Sequence, residues 1–244
     1  MNRSTALLAL CLALLLTAAT PPAQAQAQAS RYSSMTASAD GIGKRYMGRE
    51  IAAVMGWQGA AWLEREERQR EERSDLLLAA LALAPGDVVA DIGAGTGYLS
   101  RRMATVVGRS GQVLAVDLQP EMIQLLTQLA QKAQLSQIVP VQCSETDVGL
   151  QANSVDLAIM VDVYHELAYP FEVLASVVRA LKPGGRVVFV EYRAEDRSVP
   201  IKALHKMSEA QVKREAAVHA LVWERTVTTL PWQHLLVFRK AGPA

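Results

Sequence analysis

The segment Val88-Val89-Ala90-Asp91-Ile92-Gly93-Ala94-Gly95-Thr96-Gly97-Tyr98 constrains the fold more than any other stretch of the 244-residue chain. A run of strand type leads directly into three alternate glycines and then into a helical pattern. Glycine is needed where the backbone turns sharply and a ligand lies against it with no Cβ in the way. The helix that follows presents unpaired N–H groups and a partial positive charge to that ligand. The flanking sequence supplies a sheet for this unit, with further strands expected at 112–117, 138–142, 155–161 and 186–192. Helices are expected to about Val107, over Pro120 to Gln134 and over Phe171 to Leu181. Alternation at this spacing implies a doubly wound α/β sheet with right-handed crossovers. Beyond a helix near Ser208 to Ala217, the β-rich runs 222–230 and 233–239 flank Pro231. So short a connection permits only antiparallel neighbours. The expected sheet has seven strands, mostly parallel, and closes in a C-terminal antiparallel hairpin.

The N-terminus reads differently. Arg3 supplies a positive start, Ala6 to Ala19 is an apolar run, and Pro21-Pro22 breaks any helix before small residues at Ala23, Ala25, Ala27 and Ala29. This order is that of a secretory signal, and the run is too short to span a bilayer. Residues 1–25 are therefore expected to be removed after Ala25, making the mature protein periplasmic or secreted; the competing reading is translation from Met35 and a cytoplasmic protein. The leader contains Cys11, which leaves Cys143 alone and excludes an internal disulfide. Residues 26–43, rich in Ser, Ala and Gly, read as a flexible leader. Residues 44–83 read as a helical extension, in which Ile51, Val54, Met55 and Trp62 or Leu63 are spaced for one face. The charged run from Glu64 to Arg73 reads as a solvated, self-paired helix face. Residues 84–244 form the main domain. Lys plus Arg is 25 against 24 for Asp plus Glu, which leaves no basic excess for a nucleic-acid partner. No later run is apolar enough for a stable membrane association.

Asp117, twenty residues past Gly97, ends the second strand of the main sheet. It falls beside the switch point where such folds bind nucleotides, and an acid there accepts both hydroxyls of an adenosine ribose. Nicotinamide and S-adenosylmethionine share this layout. A nicotinamide site wants G-x-G-x-x-G so that the backbone can approach a pyrophosphate. Here Tyr98 stands where the third glycine is needed, and Asp91 places a carboxylate ahead of the loop, a poor neighbour for pyrophosphate and a good one for ammonium or sulfonium. The sequence thus resembles the class I S-adenosylmethionine-dependent methyltransferases, a Rossmann-like family. Asp91 to Gly97 is similar to its first motif, Val113-Leu114-Ala115-Val116-Asp117 to its second, and Leu181-Lys182-Pro183-Gly184-Gly185 to the turn before its fifth strand. The resemblance implies S-adenosyl-L-methionine as cofactor, held by Asp91, Gly93, Ala94, Gly95, Gly97, Tyr98 and Asp117. It also implies apolar contacts to the adenine from Leu118 and Met122, and an acid after the third strand. Glu145 and Asp147 both compete for that last role.

The acceptor belongs beyond the carboxyl ends of the strands. The fourth strand delivers Asp162-Val163-Tyr164-His165-Glu166 there, and the fifth delivers Glu191-Tyr192-Arg193. His165 is the candidate base, because an unperturbed imidazole titrates near neutrality. Asp162 is the candidate to orient it or to position the acceptor, and is also counted among the residues that meet the cofactor. His205 and His219 read as structural. His165, Glu166 and Glu191 form no strong metal-ligand spacing, so no metal is expected. The expected activity is methyl transfer to a small-molecule or protein acceptor. The alternatives are an exported module that binds S-adenosylmethionine or S-adenosylhomocysteine without turnover, and a nicotinamide-dependent oxidoreductase disfavoured by Tyr98 and Asp91.

Overall fold

The computed structural model describes residues 31–242. The expected signal segment, residues 1–25, lies outside them. The main sheet has seven strands: β4 (Val88–Ile92), β5 (Gln112–Asp117), β6 (Ile138–Gln142), β7 (Val155–Val161), β8 (Leu181–Tyr192), β9 (Leu221–Val227) and β10 (Gln233–Lys240). Their spatial order is β6-β5-β4-β7-β8-β10-β9. β4 to β8 run parallel, while β10 pairs antiparallel to both β8 and β9. The last strand of the chain therefore inserts beside β8, and the hairpin closes the sheet as expected.

Five helices pack on this sheet: α1 (Ser74–Leu81), α2 (Tyr98–Val107), α3 (Pro120–Lys132), α4 (Pro170–Ala180) and α5 (Glu209–Ala216). Successive side chains of a strand point to opposite faces, so each central strand feeds two cores. Leu77, Leu81, Met103, Val107 and Leu126 pack on Val89, Val113, Leu157, Ile159, Val188 and Val237 on one face. Val173, Leu174, Val177, Val212 and Ala216 pack on Ala90, Ala158, Met160, Phe189 and Phe238 on the other. Both faces being covered, the strands carry near-continuous apolar runs. Each fully buried Val, Leu or Phe contributes roughly 1.5–3 kcal/mol. Among the described residues no helix is long and apolar enough to cross a membrane.

The expected flexible leader and helical extension are corrected by the structure. Residues 32–52 form a three-stranded antiparallel sheet of β1 (Tyr32–Ser34), β2 (Gly41–Tyr46) and β3 (Arg49–Ala52). Tyr46 pairs with Arg49 across a two-residue turn, with Met47 at φ 44° and Gly48 at φ 96°. Two successive positive φ values are what a tight hairpin turn requires. Only short helical segments follow, at Trp57–Gly59, Ala60–Leu63 and Arg68–Glu72. Gly41, Gly43, Gly48, Gly56 and Gly59 outweigh the apparent helical spacing of Ile51, Val54 and Met55, because each glycine weakens a helix interior by about 1 kcal/mol. The small sheet docks on α4, where Tyr32 Oη donates to Glu172 Oε2 at 2.5 Å and Arg31 pairs with Glu172 at 3.0 Å.

Candidate active site

The carboxyl ends of β4, β5, β7 and β8 and the N-terminal strap 53–63 enclose a cavity of about 870 Å³. Its floor begins at the glycine loop. Gly93, Gly95 and Gly97 have φ of 71°, 55° and 76°, a region that favours glycine. A Cβ on Gly93 would lie 2.5 Å from Val163 Cγ2, and one on Gly95 would lie 2.6 Å from Leu63 Cδ1. The strap thus runs directly over the loop. Glu64 fastens it there, accepting from Thr96 Oγ1 at 2.5 Å and from Arg101 at 2.7 Å. Gln119 fastens its other end, accepting from Trp57 N at 2.8 Å and donating to Met55 O at 3.0 Å.

Asp117 is buried at the end of β5 and accepts from Gly95 N at 2.8 Å and Gln119 N at 2.9 Å. The two bonds fix both carboxylate oxygens beside the loop and leave each a second lone pair. Burial raises its pKa above the ordinary carboxylate value while the backbone bonds oppose that rise. Leu118 is 40 % exposed and Met122 is buried, and both line the cavity next to it. Of the two competing acids, Glu145 lines the cavity. Asp147 instead pairs with Arg179 at 2.8 Å and accepts from Gly149 N.

Gly93, Ala94, Gly95, Tyr98, Asp117, Leu118, Met122, Glu145, Asp162 and His165 all line the cavity, whereas Asp91 and Gly97 do not. Asp91 is buried behind the loop, where its Oδ2 accepts from Ser100 Oγ at 2.5 Å. Loss of solvent pushes its pKa up to about 6. The carboxylate on the cavity wall at this point is Asp162. Its backbone sits at φ 54°, its Oδ2 accepts from Gln233 Nε2 at 2.7 Å, and its buried Oδ1 has no partner. Burial, then the negative charges of Glu72 and Glu191, raise the Asp162 pKa well above the ordinary range.

Asp162 does not orient His165. That task falls to Glu191, fully buried on β8, which lies 2.5 Å from His165 Nδ1 and also accepts from Tyr164 N at 3.0 Å. The backbone carbonyl of His165 is held by Arg49 at 3.0 Å, whose guanidinium pairs with buried Glu215 at 2.6 Å. The other ring nitrogen, Nε2, faces His205 Nδ1 at 3.2 Å, and His205 Nδ1 lies 3.1 Å from Glu166 Oε1. His205 is thus part of the site and not merely structural. His219 is buried against Phe171, and desolvation lowers its pKa to about 4, as a structural histidine's would be.

The charged run 64–73 is a solvated face only in part: Glu64, Glu66, Glu67 and Arg70 are exposed, but two of its members turn inward. Arg68 and Glu72 are buried and paired at 2.7 Å, and Arg68 lines the cavity with its guanidinium 4.3 Å from the Tyr98 ring centroid. Pairing is what permits the burial of both charges.

The strand order and the glycine loop that ends β4 beside buried Asp117 are those of the Rossmann-like class I, S-adenosylmethionine-dependent methyltransferase fold. Residues 90–189 match a family model described as a methyltransferase domain. It is 30% identical over 109 residues to the ubiquinone/menaquinone biosynthesis C-methyltransferase UbiE of Ectopseudomonas mendocina, covering 44% of this chain and 43% of that protein. It is 27% identical over 125 residues to the demethylmenaquinone methyltransferase of Oceanobacillus iheyensis, covering 51% and 52%. The chain thus spans about half the length of the curated relatives it matches. Among solved structures, a SAM-dependent methyltransferase from Aquifex aeolicus superposes with a TM-score of 0.73 at 22% identity, covering 77% of this chain and 100% of that one. That likeness is one of fold.

Proposed function

We propose that the protein methylates a small, largely apolar molecule carrying a hydroxyl group, with S-adenosylmethionine as donor. One observation carries this reading: a single cavity runs from the glycine loop and Asp117 to His165, and the strap 53–63 covers it. A covered, mainly apolar pocket suits a small molecule better than a protein side chain.

The residues present fit the donor. Asp117 offers free lone pairs to a ribose, Leu118 and Met122 offer apolar surface to a base, and Glu145 stands at the far wall. The unpartnered Oδ1 of Asp162 suits an ammonium group, and buried Asp91 adds negative potential beneath the loop once ionised. S-adenosylmethionine, when bound, supplies a methyl group on positively charged sulfur.

The chain's own residues hold the acceptor in place and withdraw its proton. Ile42, Val54, Trp62 and Ile201 form apolar wall, so the hydroxyl is directed to the polar end at His165. The bond from Nδ1 to Glu191 keeps the proton on Nδ1 and leaves the Nε2 lone pair at the cavity end, where His205 Nδ1 stands 3.2 Å away. The relatives named as C-methyltransferases of ubiquinone and menaquinone biosynthesis favour a phenolic acceptor, since a phenolate is nucleophilic at oxygen and at ring carbon.

The test is incubation of the protein with methyl-labelled S-adenosylmethionine and a panel of phenols and apolar alcohols. Label in the organic-extractable fraction is expected, and at least tenfold less (about 1.4 kcal/mol) with His165→Gln. Binding of S-adenosylhomocysteine without transfer to any small molecule, or label confined to protein, contradicts the proposal.

A further inference from the structure

Three donors converge at the acceptor end of the cavity: His165 Nε2, His205 Nδ1 and Glu166 Oε1. The two nitrogens are 3.2 Å apart, Glu166 Oε1 is 3.1 Å from His205 Nδ1, and it is 3.8 Å from His165 Nε2. Ligands about 2.1 Å from one ion, at angles of 90–110°, lie about 3.0–3.5 Å from each other. Two of the three separations match that range, and the third exceeds it by less than a side-chain torsion can correct.

The surrounding bonds prepare each donor. Glu191 is fully buried and takes the Nδ1 side of His165, the carboxylate–histidine arrangement that fixes the tautomer of metal-bound imidazoles. Glu166 uses its other oxygen, Oε2, to accept from Met55 N at 3.3 Å, which leaves Oε1 for the cluster. His205 rides on the short turn Ala203–His205, its ring edge-on to that of His165 at 82°. A single proton on His205 Nδ1, shared with Nε2 and Oε1, satisfies all three atoms; a divalent cation replaces that proton. All three residues line the cavity, so the remaining coordination positions open on the acceptor.

We propose that His165, Glu166 and His205 form a two-histidine, one-carboxylate site for a divalent first-row transition cation, with coordination positions left for oxygen atoms of the acceptor. This donor set suits Zn²⁺, Fe²⁺, Co²⁺ or Mn²⁺ and leaves an open side. A hydroxyl coordinated there loses its proton to solvent near neutral pH. With the cation bound, His165 is a ligand and the cation takes over from it the removal of the acceptor's proton; acceptors with one or two adjacent oxygen donors are preferred. The role at the acceptor rests on the function proposed above; the cation site does not.

The test uses the full chain, stripped with chelator, dialysed and titrated with Co²⁺ by calorimetry and visible absorption. One equivalent should bind and develop ligand-field bands, with release of protons and weaker binding at lower pH. His205→Ala and Glu166→Gln, both at partly exposed side chains, should each lower the affinity at least tenfold while thermal melting stays cooperative. Glu191→Gln, a positioning change, should lower it by about 10- to 100-fold. Absence of saturable Co²⁺, Zn²⁺ and Mn²⁺ binding, or binding undiminished in both ligand variants, overturns the site. S-adenosylhomocysteine is titrated into the same preparation. Saturable binding of S-adenosylhomocysteine with no binding of any of the three cations sinks this inference alone, whereas cation binding with no binding of S-adenosylhomocysteine sinks the methyltransferase reading alone.

Discussion

Asp162 occupies the left-handed region at φ 54°, which aspartate tolerates better than most residues but which still costs about 1 kcal/mol or more. The same conformation turns the chain out of β7 and leaves a buried carboxylate oxygen unpartnered on the cavity wall. Such a local cost is consistent with a ligand-facing role. Asp91 bears a related cost. Burial moves its pKa from 3.8 to about 6, so between those values the folded state holds a proton that the unfolded chain has released. Its contribution to stability therefore worsens as pH rises through that window and is fully unfavourable above it. Asp91→Asn should stabilise the protein at pH 7 by on the order of 1–3 kcal/mol, with the advantage gone below about pH 4. Chemical denaturation at both pH values reads this directly, and an Asn variant less stable at pH 7 would refute it. Asp117 acts through its oxygens. Asp117→Ala should weaken S-adenosylhomocysteine binding by about tenfold or more, since a lost hydrogen bond to a charged group is worth roughly 1.5–3 kcal/mol. Its thermal midpoint should fall by only a few degrees; calorimetry alongside a melting curve separates the two effects.

At the scale of elements, β3 is anchored by charge. Arg49 bonds to buried Glu215 of α5 and to the His165 carbonyl, so one guanidinium links the small sheet, α5 and the polar end of the cavity. Breaking this pair should cost about 3–5 kcal/mol, because a buried partner is left uncompensated. Arg49→Ala should therefore melt earlier by several degrees or more, and Arg49→Ala with Glu215→Ala by less than Glu215 left alone. Equal melting of all three would contradict a buried, coupled pair. The elements of the main sheet were legible in the sequence because each carries its own punctuation: Gly93-Ala94-Gly95 after β4, Pro120 opening α3, Pro183-Gly184-Gly185 in the first residues of β8. The N-terminal strands were not, because apolar residues at 51, 54 and 55 mimic a helical face while the hairpin signal at Met47-Gly48 is weak. Within the site, Asp117 and the loop glycines were readable because their spacing along one βαβ unit fixes their meeting in space. Glu191 orienting His165, and His205 facing it from forty residues further on, depend on strand register and on an irregular segment. Neither leaves a local pattern to read.

For the whole molecule, two cores bind the sheet between helices, and the N-terminal strap lies over the cavity at its carboxyl edge. Residues 1–25 lie outside the described residues; their order of charge, apolar run and small residues predicts export. Sequencing the mature protein from fractionated cells should give Gln26 as first residue; recovery of Met1 or Met35 from the cytosol would refute that prediction. This cavity takes an adenosyl sulfonium and not a dinucleotide. Calorimetric titration of the purified full chain with S-adenosylhomocysteine and, separately, with NAD tests it most directly. One equivalent of S-adenosylhomocysteine should bind with saturable heat and NAD should give none. Saturable binding of NAD with no response to S-adenosylhomocysteine would contradict the account.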